Sequence, residues 1–140
     1  MNETGLTIRE FRQKILDLQT ELAKEPQIEL PLLHDFSKGV YLRQIMMPKG
    51  SLVLGKTHKT EHLNIVMSGS ASVLIDGEVK FIKAPYVFNS GKGIKKILYI
   101  HEEMIWATVH VTEETNMDKL EKLMVYTEKE EKELLSEGIE

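Results

Sequence analysis

Two histidines and two lysines crowd into one short stretch, Gly55-Lys56-Thr57-His58-Lys59-Thr60-Glu61-His62. Imidazoles bind metals and move protons, and ammonium groups hold anions. The string His58-Lys59-Thr60-Glu61-His62 spells H-x-x-E-H, the signature of a zinc peptidase class. That chemistry needs both histidines on one helical face, with the glutamate between them as general base. Gly55 and two threonines are poor helix formers, and β-rich runs flank the stretch on both sides. The peptidase reading is therefore set aside. Lys56 and His58 are two apart and would face the same side of a strand. Trp106 recurs at period two with Met104, Thr108 and His110. Its ring would either wall a stacked ligand or sit in a core. His110 reads as a satisfied polar residue, and Phe81, Tyr86 and Phe88 as core or rim. Lys92, Lys95 and Lys96, beside Gly91 and Gly93, form either an anion-facing loop or a solvated hairpin tip.

These residues need elements to position them. Ile8, Phe11, Ile15, Leu18 and Leu22 recur at helical spacing, and Thr7 with Glu10 matches a capping box. The pattern predicts a helix ended by Pro26 and a connecting segment through residue 37. From 40 to 111 the periodicity turns β-like. Runs at Val40–Met47, Ser51–Leu54, Leu63–Met67, Ala71–Ile75, Val79–Phe81, Tyr86–Phe88, Lys96–Ile100 and Met104–Val111 predict about eight strands. Turn residues separate most of them, with Asp76-Gly77 the strongest hairpin signal. Thr115 with Asp118, and Thr127 with Glu130, predict two helix starts in the tail. The expected organisation is one structural domain: helix and linker at 1–37, a β-barrel at 38–112, and an acidic helical tail at 113–140.

The wider histidine stretch resembles the first motif of the cupin superfamily, G-x5-H-x-H-x3-E-x6-G. Gly50 and Gly69 stand at its glycines and His58 at its second histidine. Lys56 takes the place of the first histidine, and His62 that of the glutamate. The second motif, G-x5-P-x-G-x2-H-x3-N, is matched at Gly93. There Gly91 replaces the proline, Lys96 the histidine and Ile100 the asparagine, and Ala84-Pro85-Tyr86 resembles the usual entry to that hairpin. The resemblance covers about half the chain. It implies a mainly β, cupin-like jelly-roll barrel and a homodimer. Metal-binding cupins usually hold their ion with three histidines and one glutamate, and two of those four positions are lysine here. A protonated lysine repels a cation. His58 and His62 are the remaining candidates to bind a divalent metal (Zn, Fe or Mn), and no cofactor is certain. The whole arrangement, including His101-Glu102-Glu103-Met104-Ile105-Trp106, resembles small cupin-like proteins encoded by bacteriophages and prophages.

Composition narrows the function classes. The chain has 140 residues, 41% hydrophobic and 29% charged, and no cysteine. That excludes a disulfide scaffold, thiolate metal sites and a cysteine nucleophile. No apolar run is long enough to span a bilayer, and the start resembles no signal peptide, so a cytoplasmic protein with no membrane partner is expected. The net charge of −4 is uneven: +7 over residues 38–100 against −6 over 113–140. Such segments either pair with one another or leave a basic site for an anion. The net negative charge makes nucleic acid an unlikely partner.

The favoured expectation is a small-molecule-binding protein. Its anionic ligand, such as a nucleotide or phosphorylated metabolite, would be held by Lys56, His58, His62, Lys96 and Trp106. A metal-dependent isomerase or oxygenase, and a scaffold whose acidic tail binds another protein, are the alternatives.

Overall fold

The computed structural model describes residues 8–24, 29–75 and 77–136. Helix α1 (Ile8–Leu22) is followed by strands β1 (Leu32–Ser37), β2 (Val40–Met47), β3 (Leu52–Leu54), β4 (His62–Ile75), β5 (Glu78–Lys83), β6 (Tyr86–Ser90) and β7 (Lys96–Val111). Helices α2 (Met117–Met124) and α3 (Glu128–Ser136) close the chain. The fold is a cupin-like β-sandwich.

Two long strands organise it. β7 pairs with β4 along nearly its whole length. Its other edge takes β3 at Ile97–Tyr99 and β2 at Met104–Val111. β4 takes β6 along its first half and β5 along its second. The two halves of this sheet share one core. Val66, Met104 and Trp106 from one half meet Val73, Ile82 and Leu98 from the other.

Among the described residues seven strands form rather than about eight. Ser68-Gly69-Ser70, expected as a turn, lies inside β4, whose register shifts between Val66 and Ala71. Gly69 has φ +86°, and a Cβ there would overlap the Glu103 carbonyl oxygen. The glycine therefore permits a bulge that bends a continuous strand instead of ending it. The two predicted runs in β7 are likewise one strand.

The connector expected through residue 37 contains β1. It pairs with β2 through a tight turn at Gly39, φ 75°. All six of its residues are exposed, so no alternation of buried and exposed side chains betrays it. At the predicted Asp76-Gly77 hairpin, Ile75 pairs with Glu78 and Gly77 has φ 92°, while Asp76 is outside the described residues.

Helix α1 has the predicted span, and its expected cap Thr7 lies outside the described residues. Leu18 packs on Ile97 of β7, as do Leu54 and Leu74, so the helix covers its own sheet. In the tail, Asn116 caps α2, accepting from Lys119 N at 3.1 Å, where Thr115 with Asp118 was expected to do so. Before α3 the predicted capping box forms. Thr127 N donates to Glu130 Oε1 and Glu130 N to Thr127 Oγ1, both at 3.1 Å. Leu120, Met124 and Val125 bury against Tyr41, which ties the tail to the barrel.

Candidate functional site

Strand alternation builds the site in layers on the inner face. On β4, His62, Asn64 and Val66 are buried while Leu63 and Met67 are exposed. On β7, Trp106, Thr108 and His110 point the same way, and the register sets Asn64 opposite Thr108 and Val66 opposite Trp106. On β2, Tyr41, Arg43 and Ile45 lie opposite His110, Thr108 and Trp106. One end of the interior is thus polar (Tyr41, His110, His62), the next layer mixed (Arg43, Thr108, Asn64), and the third apolar.

These layers line a cavity of about 260 Å³. Lys56, His58, His62, Lys96 and Trp106, the five residues singled out from sequence, all line it. Arg43, Asn64 and Thr108 do so as well, with an apolar wall that includes Met47, Val53, Leu98 and Val125. Three fixed cations border the space, and among the described lining residues there is no carboxylate.

The wall is held by a hydrogen-bond chain. Trp106 Nε1 donates to Asn64 Oδ1 at 3.0 Å, and Asn64 Nδ2 donates to Ser90 Oγ at 2.8 Å. The indole is therefore fixed in orientation, as a buried N–H demands. It belongs both to the core and to the cavity lining. Lys96 is 8% exposed, with Nζ 6.0 Å from the centre of the Phe88 ring, at the outer limit of a cation–π contact.

Three imidazoles cluster at the polar end. His58 and His62 lie 4.2 Å apart between ring centroids, His62 and His110 5.1 Å, and His58 and His110 5.9 Å. His62 Nδ1 donates to Thr60 O at 3.1 Å, because a carbonyl can only accept. His110 Nε2 bonds Thr108 Oγ1 at 2.8 Å. His58 Nδ1, His62 Nε2 and His110 Nδ1 are buried without a hydrogen-bond partner. His110 is thus half satisfied rather than fully so. Burial pushes the His58 imidazole down to about 3, helped by His62, Lys96, His110 and Arg43. Burial also pushes His110 down to about 4, with His62 and Arg43 adding to it. His62 is lowered chiefly by burial and opposed by its bond to Thr60. All three are neutral at pH 7.

A fold of this class raises the question of a metal ion. Neutral imidazoles with bare nitrogens are suitable donors. Among the described residues no three His, Cys, Asp or Glu side chains are grouped to hold an ion. Arg43 and Lys96 add positive potential beside them. The donors thus suit a divalent ion in kind, while their grouping and the adjacent cations do not favour one.

The C-terminal segment forms part of the same site. His58 makes a β-bridge with Val125. Lys59 N donates to Met124 O at 2.6 Å and Tyr126 N to Thr57 O at 2.9 Å. Acidic tail residues meet basic barrel residues: Lys56 with Glu121, Lys59 with Glu130, and Lys95 with Glu131. Part of the charge asymmetry is thus internal pairing. Lys95 is buried against Glu131 and faces no ligand, whereas Lys96 reaches the cavity.

Sequence reasoning missed Arg43, Asn64 and Thr108. Arg43 had a signal: Tyr41, Arg43, Ile45 and Met47 alternate on one strand, which places a guanidinium on an inward face.

No family model matches the chain, and no curated protein matches it by sequence. Solved structures do match in fold. A predicted oxalate decarboxylase from Thermotoga maritima shares 18% identity at a TM-score of 0.50, covering 61% of this chain and 84% of that one. The EutQ protein of Clostridium difficile shares 13% at 0.52, covering 66% and 75%. Salicylate 1,2-dioxygenase of Pseudoaminobacter salicylatoxidans, with gentisate adducts, shares 13% at 0.55. That match covers 82% of this chain but 34% of the dioxygenase. At such identities the likeness is one of fold, and it agrees with the cupin-like architecture. Among the described residues no helix is long and apolar enough to cross a membrane.

Proposed function

We propose that this chain is a small-molecule-binding protein whose ligand is an organic anion, a carboxylate or phosphate ester carried on an apolar body. One observation supports this above the rest. The cavity is bordered by Arg43, Lys56 and Lys96, and no Asp or Glu is among its described lining residues. Guanidinium and ammonium groups at an apolar wall suit an anion far better than a cation or a neutral polar molecule. The apolar side chains opposite would take the ligand's body. A phosphorylated metabolite belongs to this class.

Calorimetry with matched pairs tests the reading. Benzoate should bind and benzamide should not, and affinity should fall as salt rises. Arg43→Met and Lys96→Met should each weaken benzoate by about tenfold or more, a loss of about 1.4 kcal/mol or more for a charge partner removed from the anion. Equal binding of benzoate and benzamide would sink the proposal.

The expected homodimer is proposed on the opposite face of the β1-β2-β7-β4-β6 half-sheet. Leu33, Met46, Leu63, Met67 and Val87 are exposed there, beside Asp35 and a Glu61 carboxylate bonded to Asn89. A second copy would cover these apolar side chains. Sedimentation should show a dimer that Val87→Glu turns into a monomer; a monomeric parent protein would refute it.

A further inference from the structure

The tail meets the barrel through two kinds of contact, one of them at the cavity mouth. The deep kind is the Lys95–Glu131 pair at 2.8 Å, with side chains 4% and 8% exposed. Glu131 Oε1 also accepts from Thr57 N at 3.4 Å. This anchors α3 in a place water does not reach. The shallow kind is the Lys56–Glu121 pair, with side chains 60% and 46% exposed. Exposed pairs are weak and yield to competing ions.

The position of Glu121 makes the shallow contact informative. It neutralises Lys56, one of the three cations bordering the cavity. It also lines a second cavity of about 290 Å³, of which Arg43, another of those cations, is a shared wall. Just beyond it, Val125 is both a wall residue of the main cavity and the bridge partner of His58. The end of α2 and the residue after it therefore border the site and place a carboxylate beside its cations.

We propose that Glu121 is a built-in counter-ion of the cavity mouth, which the ligand's anionic group displaces from Lys56. Displacement loosens the Thr57–Lys59 bridge to Met124–Tyr126, while Glu131 keeps α3 anchored. The acidic tail is then a gate that an anion opens, rather than a docking arm for another protein. This rests on the anion reading above.

The test uses the full chain, with benzoate and inorganic phosphate as probes. Trp106, the single tryptophan, lines the cavity and reports occupancy by fluorescence. Glu121→Gln should bind the probes about three- to fivefold more tightly than Glu78→Gln, which removes the same charge from β5. In the parent protein, benzoate should speed hydrogen exchange at the Lys59 and Tyr126 amides, whose acceptors lie across the bridge. Equal affinity of the two variants, or exchange at those amides slowed by benzoate, overturns the gate and leaves the anion reading standing. Failure of both probes to bind the parent and both variants overturns the anion reading, and the gate with it.

Discussion

Lys95 and Lys96 are neighbours in sequence and both are buried, yet they serve opposite ends. Lys95 meets Glu131 in a dry seam between barrel and tail. Lys96 points into a cavity whose described lining contains no carboxylate. Lys95 ends the loop before β7 and Lys96 opens the strand, so the loop-to-strand boundary separates a structural charge from a candidate binding charge. The seam joins a buried lysine to a buried glutamate, whereas the cavity has three cations and no carboxylate among its described lining residues. Counting charges along the chain does not distinguish the two regions; their places in the fold do.

The largest effect should come from breaking the seam. Glu131→Ala leaves the Lys95 ammonium buried with no carboxylate and takes the acceptor from Thr57 N. We expect a loss of about 3–5 kcal/mol in urea unfolding. Replacing both partners, Lys95→Met with Glu131→Leu, should restore most of it. A small loss in Glu131→Ala would mean that water reaches the seam, and the contrast with the cavity would weaken.

A smaller effect follows from pH. His58 and His110 have folded-state values of about 3 and about 4, below the unfolded value of 6.5. Below 6.5 the unfolded chain binds protons that the folded one refuses, so their stabilising effect is present above that value and fades as pH falls toward 4 and 3. Between pH 7 and 5 we expect a loss on the order of 1–2 kcal/mol for each imidazole, read from thermal melts at the two pH values. His58→Phe should flatten this slope in part. An unchanged slope would place the acid sensitivity outside the cluster.

The smallest effect sharpens the contrast from the other side. Lys96→Met should weaken anion binding while lowering stability far less than Glu131→Ala does, because Lys96 lines the cavity and Glu131 holds the seam. A loss as large as that of Glu131→Ala would make Lys96 structural too.

The site was partly legible before the fold was known. Lys56 and His58, expected on one side of a strand, lie between β3 and β4, with His58 in an isolated bridge to Val125, and His62 and Lys96 stand at positions of a resembled motif. The structure brings all four, with Trp106, to one cavity. Glycine spacing carried that information because turns and bulges need particular backbone angles, and these depend on local sequence. Arg43 was also within reach, through the alternation of its own strand. Glu121 and Glu131 were not, since nothing local marks which acids of a charged tail will meet which lysines.

What the sequence determines by itself, then, is what depends on neighbours a few residues away. The span of α1, the Thr127–Glu130 capping box and most of the strand runs belong here. What tertiary structure alone decides is what depends on residues distant in the chain. It makes Gly69 a bend in β4 rather than a turn, because the Glu103 carbonyl lies against it. It pairs an unmarked β1 with β2, separates the fates of Lys95 and Lys96, and lays an acidic tail beside the mouth of a basic cavity. Local propensities act through backbone angles, whereas burial and charge pairing act through space, and only the folded chain fixes the distances between such groups.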